Sequence, residues 1–258
     1  MSIVLRENDW AEKKIEECDL GKKSPETLRR VARYYLDGGF SKSQTLKKMS
    51  AFITQCTGEP PSIKWEGTID WALKAALKCP AIDIDCIEVT DAEMKKIDVL
   101  DGKQIKRLAF TLLCLAKYWL IVNPNCEGWV KDNDNQIMRL ANINTSLKRQ
   151  SLMYWKLREA GMIQLSKMVD NTSIKVLFAQ EGTPVMKITD FRNLGYQYLM
   201  YHKEPYYECV NCGLTTKIAH PDNNSKPKYC KECASKIQMK QIVNSIMRRR
   251  KEESIKNK

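Results

Sequence analysis

Two Cys-x-x-Cys pairs carry most of the chemistry available to this chain. They are Cys209-Val-Asn-Cys212-Gly and, after 17 intervening residues, Cys230-Lys-Glu-Cys233-Ala. Two residues between paired cysteines let both sulfurs reach one metal across a tight turn. Gly213 suits such a turn, because glycine takes positive φ at no steric cost. Two turns brought face to face complete a tetrahedron of thiolates around Zn²⁺. Four protein ligands leave no open coordination position, so the expected role is structural, with one zinc per chain and no chemistry at the metal. The alternative is a set of unliganded core thiols. It asks a segment with few apolar residues to cohere without a metal.

No second constellation of this kind stands out. Cys18, Cys56, Cys79, Cys86, Cys114 and Cys126 are scattered, and Cys114 sits in the apolar run Leu112–Ala116, where a free thiol behaves as a small hydrophobe. The two histidines, His202 and His220, have no nucleophile beside them, and His220 is at most a spare metal ligand. Asp83 and Asp85 alternate with Ile82 and Ile84. A metal-binding carboxylate pair and an exposed polar edge both fit that pattern, and the polar edge is favoured because no histidine lies near. No glycine-rich phosphate loop is present. The expectation is a protein that is not an enzyme.

Charge points to the class of partner. Lys and Arg number 43 against 31 Asp and Glu, a net charge of +12. Such a surplus suits a polyanion, and equally an acidic protein surface. Half of it falls in residues 236–258, where eight basic residues, among them Arg248, Arg249 and Arg250, face two acidic ones. This tail could track phosphates, or be a solvated terminal helix. No uncharged apolar stretch approaches the ~18 residues of a membrane span. The opening run Met1–Arg6 passes straight into charged residues and does not resemble a secretory leader. Free thiols with a zinc site suit a reducing compartment, so the expected location is the cytoplasm, with no membrane association.

The elements that must position these groups are mainly helical. Ser24-Pro25 reads as a helix start. Ser41 with Gln44, and Thr90 with Glu93, read as capping boxes. Gly58–Pro61 is a break, and Trp65 to Cys79 is helical up to Pro80. These helices are assigned to an N-terminal helical domain, residues 1–100. Lys103 to Val122 is a strongly apolar helix. Asn133 to Ile143 is a short amphipathic one, and Ser146 to Ala160 is a third, which Gly161 closes. Alternation at Ile163 and Leu165, a turn at Asp170-Asn171, and a β-branched run from Ser173 to Phe178 then read as a hairpin.

The order helix, helix, helix, hairpin over 103–180 resembles a winged helix-turn-helix. Its most specific piece is Leu157-Arg-Glu-Ala-Gly-Met-Ile163, similar to the run that closes the reading helix and enters the wing in that family. A winged-helix domain is accordingly placed at 101–185. The resemblance implies that Met153, Tyr154 and Leu157 face the core. Ser146, Lys148, Arg149, Ser151 and Lys156 would then face outward toward a major groove, with Arg149 as the candidate for bidentate contact to guanine. Lys167 and Lys175, on the wing strands, would contact phosphate. A winged helix used only for protein contacts is the competing reading, which exposure of Leu152 and Trp155 would favour.

Residues 186–258 are read as a linker, the four-cysteine module and a basic C-terminal helix. Five tyrosines, Tyr196, Tyr198, Tyr201, Tyr206 and Tyr207, precede the cysteines. They could stack on unpaired bases, but packing against a neighbouring element is preferred. The cysteine module with its following helix resembles zinc ribbons of small proteins encoded by phages and mobile elements of Gram-positive bacteria. The combined expectation is a mainly α protein that binds nucleic acid, DNA before RNA, in phage replication or gene control. The alternative is a protein-binding inhibitor or adaptor, of the anti-CRISPR or host-takeover kind, acting on a host or phage nucleoprotein complex.

Overall fold

A computed structural model of the chain describes residues 3–166, 173–219 and 227–256, with side chains up to residue 249 in the last helix. It is mainly helical, with small antiparallel sheets. The chain divides into two compact units, Met1–Ile87 and Glu88–Lys258.

The first unit holds α1 (Glu7–Glu16), α2 (Ser24–Asp37), α3 (Lys42–Thr57) and α4 (Ile63–Ala76). The apolar faces of α2, α3 and α4 meet in a core of Leu28, Val31, Ala32, Met49, Phe52, Ile53, Ile69 and Ala72. The expected capping box at Ser41 and Gln44 starts α3, and Gly58 ends it with a φ of 80°. Glu7 lies buried beside this core. Its carboxylate accepts from Arg30 Nε at 3.0 Å and from Arg33 Nη1 at 2.7 Å, with all three side chains almost wholly enclosed. The Ile82 amide donates to the same carboxylate at 3.3 Å. The 81–85 segment is thereby fixed against the start of α1. Asp83 pairs with Arg6 through the backbone, and Asp85 accepts from the Arg6 guanidinium at 2.6 Å. Asp85 is ion-paired and Asp83 sits in a backbone bridge at this edge, and among the described residues no metal cluster includes them.

The second unit is organised around α6 (Lys103–Val122). Every residue from Leu108 to Ala116 is inaccessible to solvent. A helix apolar on all sides must be surrounded. Around it lie α5 (Asp91–Asp98), α7 (Asp134–Leu140), α8 (Leu147–Glu159) and α9 (Leu194–Tyr201). Three strands complete the enclosure: β2 (Trp129–Val130), β3 (Ile163–Leu165) and β4 (Ile174–Val176), in the antiparallel order β2–β4–β3. Register places Ile163 opposite Val176, and Leu165 and Val130 opposite Ile174, so the alternating apolar residues share one face. Two further strands, β1 (Ile87–Thr90) and β5 (Pro184–Ile188), pair with each other.

Residues 88–100, expected in the N-terminal domain, lie in this second unit. The cause is Glu93. It completes the capping box with Thr90, receives Lys117 Nζ of α6 at 2.7 Å, and accepts from the Gln180 amide at 2.9 Å. A fully buried carboxylate with these partners holds α5 on α6. The cysteine module, expected to stand apart, also belongs to this unit. It consists of a hairpin, β6 (Tyr206–Glu208) with β7 (Thr215–Lys217), and the long α10 (Lys231–Lys256). Both hairpin strands pack on α9, and α9 packs on α6.

Candidate functional site

The two Cys-x-x-Cys turns meet. The four sulfurs of Cys209, Cys212, Cys230 and Cys233 all lie within 4.8 Å of one another. Cys212 Sγ and Cys230 Sγ are 3.7 Å apart. Thiolates bound to one tetrahedral zinc at ~2.3 Å would stand ~3.8 Å apart, so the spacing fits a single ion among four sulfurs. The geometry begins in the hairpin. After β6 the chain turns back, with the Gly213 amide donating to Cys209 O at 2.8 Å and the Cys209 amide to Leu214 O at 3.1 Å. Gly213 takes the expected positive φ, 70°. The second pair arrives at the start of α10, with Cys233 in its first turn and the Ala234 amide donating to Cys230 O at 2.9 Å. The Val210 amide donates to Lys228 O at 3.0 Å and joins the two halves. The Asn211 side-chain amide donates to Cys233 Sγ at 3.3 Å.

The thiols are electrostatically unlike. Burial raises every one of the shifted thiols, but at Cys209 the amides of Cys230, Cys212 and Asn211 outweigh it and lower that thiol to about 6. Burial pushes Cys212 up to about 12 and also raises Cys230. Cys209 is thus ready as a thiolate at neutral pH, and a bound cation would displace the protons of Cys212 and Cys230. The donor set of four sulfurs can hold a metal ion. Of the two histidines, His202 instead lies 3.1 Å from Asp98, and His220 lies outside the described residues.

A polar latch connects the cysteine turn to the turn between α7 and α8. Asn193 precedes α9, and its side chain donates to Thr215 O at 2.9 Å. It also accepts from Asn142 Nδ2 at 2.9 Å, while Asn142 Oδ1 accepts from the Tyr196 amide at 3.2 Å. Both asparagines have left-handed backbones, with φ of 55° at Asn142 and 57° at Asn193. Asparagine tolerates that conformation better than most residues. The elements approach so closely that a Cβ on Gly195 would sit 2.0 Å from Ala141 O. Arg192, ion-paired with Asp190, also donates to Cys212 O. Sequence reading missed this latch, although the Asn-x-Gly of 193–195 is a visible trace of it.

The helix from 147 to 159 lies as its apolar pattern requires. Met153, Tyr154 and Leu157 are buried, and the Tyr154 hydroxyl donates to Asp134 Oδ1 at 3.2 Å. Burial, with Asp134 beside it, raises the Tyr154 hydroxyl far above its ordinary value. Ser146 caps the helix by backbone conformation, without a side-chain bond, and Ser151 Oγ donates to Leu147 O at 3.1 Å. Ser146, Lys148, Arg149, Ser151 and Lys156 are all exposed. With Leu152 and Trp155, the first four line a shallow open concavity of about 550 Å³. Leu152 and Trp155 are themselves 50 % and 52 % exposed, which places apolar groups at the centre of the basic face.

The remaining expected contacts distribute unevenly. Lys175 on β4 is held by Glu127 at 3.0 Å and lies over the Trp129 ring, so its charge is already partnered. Lys167 lies outside the described residues, as does the side chain of Arg250. Arg248 and Arg249 are exposed on α10. The tyrosines pack. Tyr198 is buried against Phe110 and bonds Asp98, Tyr196 meets the Tyr206 ring at 4.8 Å, and Tyr207 donates to Tyr229 O. Among the described residues no helix is long and apolar enough to cross a membrane. Comparison of the chain with protein-family models, with curated proteins and with solved structures finds no match.

Proposed function

We propose that this chain is a non-enzymatic DNA-binding protein in which α6, α7, α8 and the β2–β4–β3 sheet act as a winged helix. In this reading α8 enters the major groove and zinc fills the four-thiolate site. Arg149 addresses a guanine edge, while Lys148 and Lys156 neutralise flanking phosphates. The observation that carries the reading is the uncovered outer face of α8. Its only acidic residue is Glu159 in the last turn, against Lys148, Arg149, Lys156 and Arg158. The latch through Asn142, Asn193 and Thr215 gives the metal a purpose in it, because the zinc-bound turn would brace the segment that leads into α8. Lys175 has a lesser role, since binding phosphate would first break its pair with Glu127.

The test is titration of the zinc-loaded chain against random duplex DNA at two salt concentrations. Affinity should fall steeply with salt and drop on Lys148→Ala with Arg149→Ala. Absence of binding at low salt would sink the proposal. A second reading is favoured by the exposure of Leu152 and Trp155. In it, α8 docks a protein, with the indole as anchor, as aromatic and arginine side chains do at the centres of interfaces. Trp155→Ala separates the two. On the DNA reading it costs far less than Arg149→Ala, and on the protein reading it costs more.

A further inference from the structure

α10 carries a surface that neither zinc nor phosphate binding explains. From Ala234 to Arg249 only Ile237 is even half-buried. Met239, Ile242, Val243, Ile246 and Met247 are between 43 % and 64 % exposed. Their spacing, three and four residues apart, gathers them into one stripe. Lys236 and Lys240 border one edge of that stripe and Arg249 borders the other. The only acid between Lys231 and Arg249 is Glu232, in the first turn. Helices ordinarily draw most of their stability from packing an apolar face, and among the described residues nothing covers the stripe of this one.

The basic borders decide among occupants. A second copy would set Lys236, Lys240 and Arg249 against their like, and the apolar stripe from Met239 to Met247 covers little more than one heptad, short for a self-paired coil. Phosphate would satisfy the borders and leave the stripe wet. Lipid-surface helices rely on Trp, Phe and Leu, which this stripe lacks. Met, Ile and Val beside lysine and arginine fit the groove-docking of a helix with an apolar seam and acidic flanks. We propose that α10 is the docking helix for an acidic amphipathic helix of a partner protein, a role separate from the α8 face.

The experiment uses the full zinc-loaded chain and a fluorescein-labelled synthetic helical peptide with a leucine seam and glutamate flanks. A scrambled peptide of equal composition, phosphatidylserine vesicles and sedimentation run in parallel. The expected result is saturable binding of the amphipathic peptide only, weakened by salt. Ile242→Gln with Ile246→Gln should reduce it by about tenfold or more. These exposed substitutions should leave zinc content and helicity unchanged, so lost binding would not reflect lost folding. Equal binding of the scrambled peptide, or none of either, overturns the proposal. So does vesicle binding without peptide binding, or self-association of the chain that the same double substitution abolishes.

Discussion

α6 and α10 are the two longest helices of the described residues, 20 and 26 residues, and they rest on opposite supports. α6 is enclosed on every side by its neighbouring helices and strands, and its stability is packing. α10 is exposed along almost its whole described length, and its fixed point is the first turn, where Cys233 joins Cys230 and the hairpin cysteines. The same backbone geometry therefore answers to different perturbations. A cavity damages α6, whereas loss of the thiolate cluster damages α10. The apolar residues of α6 specify the interior, and those of α10 await something outside the chain.

The largest test of this contrast is removal of the metal. One ion per chain should be found by metal analysis, and none after Cys209→Ser with Cys212→Ser. The apparent free energy at stake is about 10–16 kcal/mol, the range for structural zinc in small modules. Amide exchange should then accelerate in β6, β7 and α10 while α6 keeps its protection. Equal loss in both helices would break the comparison. Next in size, Leu112→Ala in α6 should cost about 2–5 kcal/mol in denaturant unfolding, because Leu112 is fully buried. Ile242→Ala in α10 should stay within about 0.5 kcal/mol, as exposed substitutions usually do.

How far the two helices were legible beforehand follows from the same distinction. Local signals read correctly. The capping boxes at Ser41–Gln44 and Thr90–Glu93, the alternation at 163–165 and 174–176, and the cysteine spacing are properties of a few adjacent residues. Pairings between distant residues leave no such period. Glu7 meets Arg30 and Arg33 across 23 and 26 residues, and Asn142 meets Asn193 across 51. Strand β2 is only two residues long, below what alternation can reveal. The boundary near residue 88 was invisible because the contacts that tie α5 to the second unit, Glu93 with Lys117 and with Gln180, span 24 and 87 residues. A solvated tail helix was one of the two readings its charge allowed, but the exposed apolar stripe within it was not foreseen, since such a stripe ordinarily signals burial.

A smaller effect sharpens the metal side of the comparison. At pH 7 Cys209, lowered to about 6, is a thiolate, while Cys212, raised to about 12, and Cys230, also raised, are protonated. Metal binding must then release at least two protons, so affinity should fall by at least about a hundredfold for each unit of acidification near neutrality. Below about pH 6 the proton on Cys209 adds to the slope. Chelator competition at several pH values reads this directly. A pH-independent affinity would mean that the thiols are not the ligands.

The latch between the two supports gives the finest test. Asn193→Gly keeps the left-handed backbone available but removes the donor to Thr215 O and the acceptor for Asn142. Its expected cost is about 2 kcal/mol, at about 1 kcal/mol net for each of the two hydrogen bonds lost. Asn193→Ala should cost about 1 kcal/mol more, because alanine is strained at a φ of 57°. What identifies a latch is coupling. In the Cys209→Ser, Cys212→Ser background the ribbon no longer holds Thr215 in place, so the Thr215 part of the Asn193 penalty should largely vanish, and the Asn142 and backbone parts should remain. If both penalties persist in full without metal, Asn193 merely shapes its own turn, and the packed and metal-held halves of the unit are mechanically independent.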